Sequence, residues 1–208
     1  MKLQLKIDVE TYCRWLFVVL CFLLFIHLGL NYYNYHVTET PWLLLQLFEL
    51  DEENNLPTWF SSYLLLNNAL ILWVISGSIT DKYLIHWRVL ALGFLVLSID
   101  EVAGLHETFN TAIDTNWAIF GGLIVLGVGI SYLRFLWSLP LRLRSLFILS
   151  GSIFIGGAIG VELLSEDLDE ETMTYAYATA LEEGMEMLGA LLFLITNLKE
   201  MKNAGETQ

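Results

Sequence analysis

Charged side chains are scarce in this sequence, and basic ones are the scarcest. Only 16% of the 208 residues are charged, with 10 Lys and Arg against 23 Asp and Glu, whereas 56% are hydrophobic. So few basic residues leave no positive surface for nucleic acid, which excludes a nucleic-acid-binding protein. So few charges beside so many apolar residues also exclude a soluble globular domain. The composition predicts an all-α, polytopic membrane helix bundle.

Cysteine is nearly absent, and no low-complexity tract or internal repeat is present. Cys13 and Cys21 are the two cysteines. Eight residues of helix would separate them by about 12 Å, beyond the reach of a disulfide, so both are predicted to pack as small apolar side chains. Without a tract that marks a linker or soluble module, residues 1–208 are predicted to form a single integral membrane domain.

Long apolar runs are what the sequence has in abundance. A helix needs roughly 20 mostly apolar residues to cross the hydrocarbon core of a bilayer. The six predicted transmembrane helices are residues 15–33, 59–79, 89–109, 117–137, 146–164 and 175–197. In the first loop, Pro41, Trp42 and a short apolar stretch come before an acidic turn. This pattern predicts a further helix lying in the membrane interface.

The few basic residues also predict the orientation. With these six spans, all 10 Lys and Arg fall on one side of the membrane, and the loops of the other side carry acids alone. Because loops rich in Lys and Arg stay in the cytoplasm, both termini are predicted to be cytoplasmic. The setting that this predicts is a bacterial-type cytoplasmic membrane.

Ionisable residues inside the predicted spans are the candidates for a functional site. They stand in "IDEVAGLHETF" of the third span and "LEEGMEM" of the sixth. At about 1.5 Å per residue, these groups reach one layer in the half of the bundle away from the basic loops. The predicted metal ligands are Asp100, Glu101, His106, Glu107, Glu162, Glu182 and Glu186. Glu183 and His106 are the predicted catalytic proton carriers, with His27, Asn67, Asn68 and Ser98 as hydrogen-bonding neighbours of the ligands.

The cost of charge in a membrane predicts that these acids face inward. Each charged side chain at mid-bilayer costs about 2.5 to 3.5 kcal/mol, so six facing lipid would cost on the order of 15 to 20 kcal/mol, more than a domain's stability. Inside the bundle, neighbouring carboxylates repel unless some are protonated or a cation lies among them. A bound cation is the simpler partner. The alternative is protonated acids that only pack, hydrogen-bonded to Asn67, Asn68 or Ser98.

The types of ligand favour a divalent metal ion. Carboxylates with one or two imidazoles suit iron, manganese or zinc, while an all-oxygen set suits calcium. The acids are numerous enough for two ions bridged by Glu, as in helix-bundle di-iron proteins. The Glu-x-x-His pairs of those proteins are absent here, since His106 follows Glu101 by five residues.

Three short motifs resemble membrane hydrolases of the alkaline ceramidase type: "DEENN" (51–55), "SSYLLLNN" (61–68) and Ser98 with His106. The resemblance implies a zinc site built from Ser, Asp and His inside a helix bundle. The chain departs from that layout in having six predicted spans rather than seven, and in a carboxylate pair on the last helix where the family has His. It is therefore not assigned to that family.

Two kinds of function remain open. In the first, a metal-dependent membrane enzyme hydrolyses or oxidises a lipid or other apolar substrate. In the second, the same acids form the site of a cation transporter or cation sensor. No ionisable chain leads from the acidic layer to Asp81 or Arg134 on the basic side. This one-sided arrangement favours the enzyme. The lipid bilayer is the expected partner in both cases, and no oligomeric state is predicted.

Overall fold

The computed structural model describes residues 8–80, 82–105, 108 and 116–206 and is all-helical over them. The helices are α1 (Val9–His36), α2 (Trp42–Phe48), α3 (Leu56–Ser76), α4 (Leu84–Ala103), α5 (Trp117–Ser138), α6 (Leu141–Ile155), a π-helical segment (Gly156–Val161), α7 (Glu162–Ser165) and α8 (Met173–Glu206). The predicted all-α class is confirmed.

Four stretches are long and apolar enough to cross a membrane. They are α1, α3, α5 and the continuous helical stretch Leu141–Ser165, which runs through α6, the π-helical segment and α7. The predicted spans 89–109 and 175–197 overlap α4 and α8, which are helical but are not among these four stretches. The structure therefore supports a membrane protein with four helices able to cross a bilayer, and six crossings remain a prediction.

The helix α4 ends earlier than predicted. Gly104 caps it with a left-handed backbone (φ +56°), and the Gly104 N–H donates to Asp100 O. Glycine adopts this conformation at little cost, which is why helices commonly stop at such a residue. The predicted span 89–109 is therefore not one continuous helix, because α4 ends at Ala103. Glu107 itself, like His106, lies outside the described residues.

Polar side chains cap the N-termini of α1 and α3. The Asp8 carboxylate accepts from the backbone N–H groups at the start of α1, and Asn55 does the same for Thr58 N at the start of α3. The Asn55 amide also donates to the carbonyls of Gln46, Glu49 and Glu52. Asn55 thus fixes the first loop on the end of α3. The short helix α2 in that loop buries none of its residues, and its position in the membrane interface remains a prediction.

The last helix, α8, is the centre of the bundle. It packs against α1, α3, α6 and the π-helical segment. The helix α5 contacts that segment and also packs its buried Phe135 against Trp87 of α4. Fully buried Leu64, Met187, Leu191 and Leu194 form the apolar core between α3 and α8. Polar contacts join the same helices, since the buried Asn68 amide donates to Ala190 O at 2.9 Å.

The two ends of the bundle differ in charge. One end, called the acidic end below, carries the loops of residues 37–55 and 166–172, the C-terminal ends of α1 and α4 and the start of α8. The other end is called the basic end below. It carries the described basic residues, which lie near the starts of α1, α4 and α6 and near the ends of α5 and α8: Arg14, Lys82, Arg88, Arg134, Arg142, Arg144 and Lys199. This division by charge is what places the candidate site at the acidic end.

Candidate functional site

A cavity of about 330 Å³ opens in the acidic end of the bundle. Tyr175, Thr179 and Trp117 contribute to its walls, and Leu65, Leu97, Phe154 and Ala158 supply apolar surface. Its acidic lining residues are Asp51, Asp100, Glu101, Glu162, Glu170, Glu182, Glu183 and Glu186. None of the described lining residues is Lys, Arg or His. This acid-lined cavity, called the main cavity below, is the candidate site.

Six of the eight acids were predicted as site residues from the sequence. They are Asp100 and Glu101 at the end of α4, Glu162 of α7, and Glu182, Glu183 and Glu186 of α8. The remaining two, Asp51 and Glu170, come from the loops before α3 and before α8. Neither was among the predicted metal ligands, although Asp51 belongs to the motif "DEENN". Their positions in the sequence could have indicated this, because both loops lie at the same end of the bundle as Asp100.

The spacing of the cavity-lining residues along α8 explains why this helix forms one wall of the main cavity. Residues 175, 179, 182, 183 and 186 all line the cavity, and their intervals of three or four residues put them on one face of a helix. The opposite side of this part of α8 includes the exposed Tyr177 and Leu181. One face of the helix is therefore polar and turned inward, as its sequence predicted.

The second wall depends on a close approach between the π-helical segment and α8. At Gly157, a Cβ atom would lie 2.6 Å from Glu182 O and 3.1 Å from Glu186 Cγ. Only a residue without a side chain fits there without moving one of the two helices. The wide π-helical turn then continues into Glu162, and such turns are often found at functional sites. The approach brings Glu162 to the same cavity as the acids of α8.

Residues at the start of α5 complete the lining. The Asn116 amide donates to Glu162 Oε1 at 3.0 Å, while its carbonyl oxygen caps α5 by accepting from Ala118 N at 2.8 Å. The Trp117 ring lies against Gly121, where a Cβ would be 2.6 Å from a ring carbon. Gly121 makes room for Trp117, and Gly127 and Gly129 have open space around them.

The four predicted neighbours of the ligands do not line the main cavity. The Ser98 hydroxyl bonds with Ser62 between α4 and α3, and Asn68 joins α3 to α8. Asn67 donates to Tyr63 O at 2.7 Å on its own helix. His27 lies near the first loop instead. The predicted His106 and Glu107 lie outside the described residues, so the structure does not place them.

A second, smaller cavity adjoins the first. Its volume is about 270 Å³, and it shares Asp51, Glu170 and Tyr175 with the main cavity. At this boundary the Tyr175 hydroxyl donates to Asp51 Oδ2 at 2.9 Å. The other lining residues of this outer cavity are Asn31, Tyr35, Glu49, Glu52, Glu171 and Ala176. The two spaces together form one acidic region that reaches the surface of the loops.

Beside the outer cavity, His27 and Glu49 form an ion pair that sequence reasoning missed. His27 is 1% exposed, and its Nδ1 lies 2.9 Å from Glu49 Oε1. Burial by itself raises the pKa of the Glu49 carboxyl, but the hydrogen bond and charge of His27 and the Asn31 amide outweigh it and hold that pKa below its ordinary value. Glu49 is therefore charged at neutral pH.

The side chains that line the main cavity are of the types that bind metal ions. Carboxylates are ordinary ligands for divalent ions, and eight line the space. As the described side chains are placed, however, no three of His, Cys, Asp and Glu among them form a group that could hold an ion. The residue types fit a cation, and binding one requires the carboxylates to move toward it.

Comparison with known proteins gives a family but no activity. Residues 14–199 match the family model described as a domain of unknown function, DUF8692, and the chain belongs to that family. The match spans every helix that lines the main cavity. No significant match was found among curated proteins or among solved structures.

Proposed function

We propose that this protein binds cations in the main cavity and acts as a metal-dependent membrane enzyme on a lipid or other apolar substrate. The observation that carries the proposal is the lining of that cavity, with eight carboxylates and no basic side chain among its described residues. Carboxylates gathered inside a membrane repel one another and are costly to keep charged. A bound cation offsets both costs, which makes cation binding the simplest role for the cavity.

The shape of the cavity supports a one-sided site. Its apolar lining includes Leu65, and one helical turn or more toward the basic end the fully buried Leu72, Leu191 and Leu194 fill the bundle. Apolar packing beneath the cavity supports an enzyme whose site opens on one side only. The apolar lining beside the carboxylates also suits a substrate with an alkyl chain.

In this proposal the acids have separate roles. Asp100, Glu101, Glu162, Glu182 and Glu186 hold the metal, with the predicted His106 and Glu107 as further ligands. Glu183, next to two of these ligands on α8, carries protons to and from the substrate. An ion of iron, manganese or zinc, or calcium, would supply Lewis-acid or redox chemistry in that position.

A second candidate function is a cation sensor or transporter that uses the same acids. The observation in its favour is the outer cavity, which adds Glu49, Glu52 and Glu171 to the acids of the main cavity and would attract cations toward it. Either function fits an orientation with both termini and the basic end on the cytoplasmic side of a bacterial-type membrane. In this proposal α4 and α8 also cross the membrane, which gives six crossing helices.

Elemental analysis of the purified protein tests the site. We expect at least one divalent metal ion per chain, and a large loss of it in the double variant Glu182→Gln, Glu186→Gln. The matched control is Glu166→Gln, Asp167→Asn, which also removes two charges but from exposed loop residues that line neither cavity. Equal metal content in the two double variants would show that these acids do not bind the ion.

The enzyme and the transporter are then separated by two assays on metal-loaded protein. Incubation with total membrane lipid, followed by mass spectrometry, should yield altered lipid species that the Glu183→Gln variant does not produce. Uptake of the same metal into proteoliposomes should stay at the level of empty vesicles. Uptake without altered lipid, for iron, manganese, zinc and calcium alike, would overturn the enzyme in favour of transport.

A further inference from the structure

The basic end of the bundle carries five basic residues on three neighbouring helices. They lie at the start of α4, the end of α5 and the start of α6: Lys82, Arg88, Arg134, Arg142 and Arg144. The segments that carry them, residues 73–90 and 130–146, contain one acid, Asp81, which lies outside the described residues. These five residues, called the basic patch below, are a local excess of positive charge in a chain whose formal net charge is -13.

An aromatic cluster brings the three helices together. The buried Phe135 ring of α5 packs edge-on against Trp87 of α4, with 5.2 Å between the ring centres. Trp87 in turn packs against Phe147 of α6 at 5.9 Å. The Tyr83 hydroxyl donates to Arg134 O at 3.3 Å, which joins the start of α4 to the end of α5. The basic patch therefore lies on a packed junction of three helices.

Three of the five basic side chains lie over aromatic rings. Measured from the cation to the ring centre, the pairs are Arg144 with Trp137 at 4.2 Å, Lys82 with Tyr83 at 5.0 Å and Arg88 with Trp73 at 5.8 Å. A cation over the face of a ring is attracted by the ring electrons, which holds these side chains in place. A stacked guanidinium keeps its N–H donors at its edge, where they can bind a phosphate through two hydrogen bonds.

Two of these rings indicate where the basic patch lies in the membrane. Trp73 is in the last turn of α3 and Trp137 is in the last turn of α5, and their exposed fractions are 52% and 69%. Both helices are long and apolar enough to cross a bilayer. Exposed tryptophan at the end of such a helix is typical of the head-group region of the membrane. An acidic soluble protein would meet the same positive charge, but the exposed tryptophans favour lipid.

The described part of the chain does not balance the charge of the basic patch. Within it, none of the five basic side chains forms an ion pair. The starts of α4 and α6 have neither a side-chain cap nor an acid in the first turn, whereas α1 begins at the same end with Asp8 as its cap and Glu10. Asp81 can offset at most one of the five charges. The remaining negative charge must therefore come from outside the chain.

We propose that the basic patch binds the phosphate head groups of anionic phospholipids in the leaflet at the basic end. Arg142 and Arg144 bind phosphate through paired hydrogen bonds, and Lys82 and Arg134 add positive charge beside them. A basic residue next to an anionic membrane surface strengthens binding about fivefold. This surface lies at the opposite end of the bundle from the main cavity and needs no metal. Its test and the metal analysis can therefore succeed or fail separately.

Native mass spectrometry of the full chain tests the proposal, in detergent with equal amounts of phosphatidylglycerol and phosphatidylcholine that have the same acyl chains. We expect severalfold more bound phosphatidylglycerol, and the excess should shrink as added salt screens the charges. Equal binding of the two lipids by the wild type would overturn the proposal without any variant. Glycerol phosphate, which has no acyl chains, should leave the lipid bound. Complete displacement at an equal concentration would show a site for soluble phosphate compounds instead.

Two double variants locate the binding. Arg142→Gln, Arg144→Gln should lower the excess of phosphatidylglycerol severalfold, and Arg142→Lys, Arg144→Lys, which keeps both charges, should retain most of it. The matched control is Arg14→Gln, Lys199→Gln, which removes two positive charges from the same end of the bundle but from α1 and α8. This control should bind lipid like the wild type. An equal reduction in the two glutamine variants would show a general attraction of the basic end and no binding at the basic patch.

Discussion

The Tyr175 hydroxyl and the Asp51 carboxylate form a hydrogen bond of 2.9 Å across the boundary between the two acid-lined cavities. One residue is in the first turn of α8 and the other is in the first loop, 124 positions earlier. The bond therefore fixes a loop to a helix at the place where a ligand would enter.

Removing this hydroxyl should weaken the protein. A hydrogen bond to a charged group contributes about 1.5 to 3 kcal/mol, and we expect Tyr175→Phe to lower the unfolding free energy by an amount in this range. Tyr177→Phe is the matched control, since Tyr177 is 55% exposed on the same helix. Thermal unfolding in detergent measures both. Equal loss in the two variants would contradict a special role for the bond.

Gly157 should be among the least replaceable residues of the chain. A Cβ there would lie 2.6 Å from Glu182 O, so Gly157→Ala must push the π-helical segment away from α8. Overpacking of this kind costs about 1 to 3 kcal/mol. Gly160→Ala, in the same segment with open space around it, should be close to neutral. The difference in melting temperature between the two variants tests the close approach of the π-helical segment to α8. Equal melting temperatures would contradict it.

A divalent cation should stabilise the folded protein. A ligand that binds only the folded state adds about 2.7 kcal/mol at 100 times its dissociation constant. We therefore expect manganese or zinc to raise the melting temperature of the wild type and to have little effect on Glu186→Gln, which loses a carboxylate from the cavity wall. Glu39→Gln, at an exposed acid of the first loop, should respond like the wild type. A similar response in all three proteins would mean that the ion binds elsewhere.

The contribution of Glu49 to stability should depend on pH. Its folded pKa lies below its ordinary value of 4.5. The stabilisation is therefore fully present above that ordinary value and is lost as the pH falls through the lower, folded value. We expect the melting temperatures of wild type and Glu49→Gln to differ most near neutral pH and to converge as the medium is made strongly acidic. A difference that grows on acidification would contradict the lowered pKa.

Removing the Asn68 side chain should destabilise the centre of the bundle. Asn68 is fully buried on α3 and donates to Ala190 O of α8 at 2.9 Å. In Asn68→Ala the carbonyl loses this donor and a cavity is left, which together should cost about 2 to 4 kcal/mol. Asn67→Ala, one residue along, removes an amide that donates to its own helix and should cost less. Comparable unfolding free energies would rule out the role given to Asn68.

The sequence was enough for the features that depend on composition and periodicity. Apolar runs predicted the helices, and the spacing of Glu182, Glu183 and Glu186 predicted a single polar face on α8. The cost of charge in a membrane predicted that these acids turn inward, and they line the main cavity together with Asp100 and Glu101. These inferences need only one helix at a time and the solvent around it.

The tertiary structure alone decided how separate segments meet. It ended α4 at Gly104, placed Asp51 and Glu170 on the cavity wall, and moved His27 away from the cavity into a pair with Glu49. Loops have no period from which their position can be calculated, and a histidine on an apolar helix gives no sign of its partner. Which loop folds over which helix end is set by the packing of the whole bundle, because contacts such as Tyr175 with Asp51 join residues far apart in the chain.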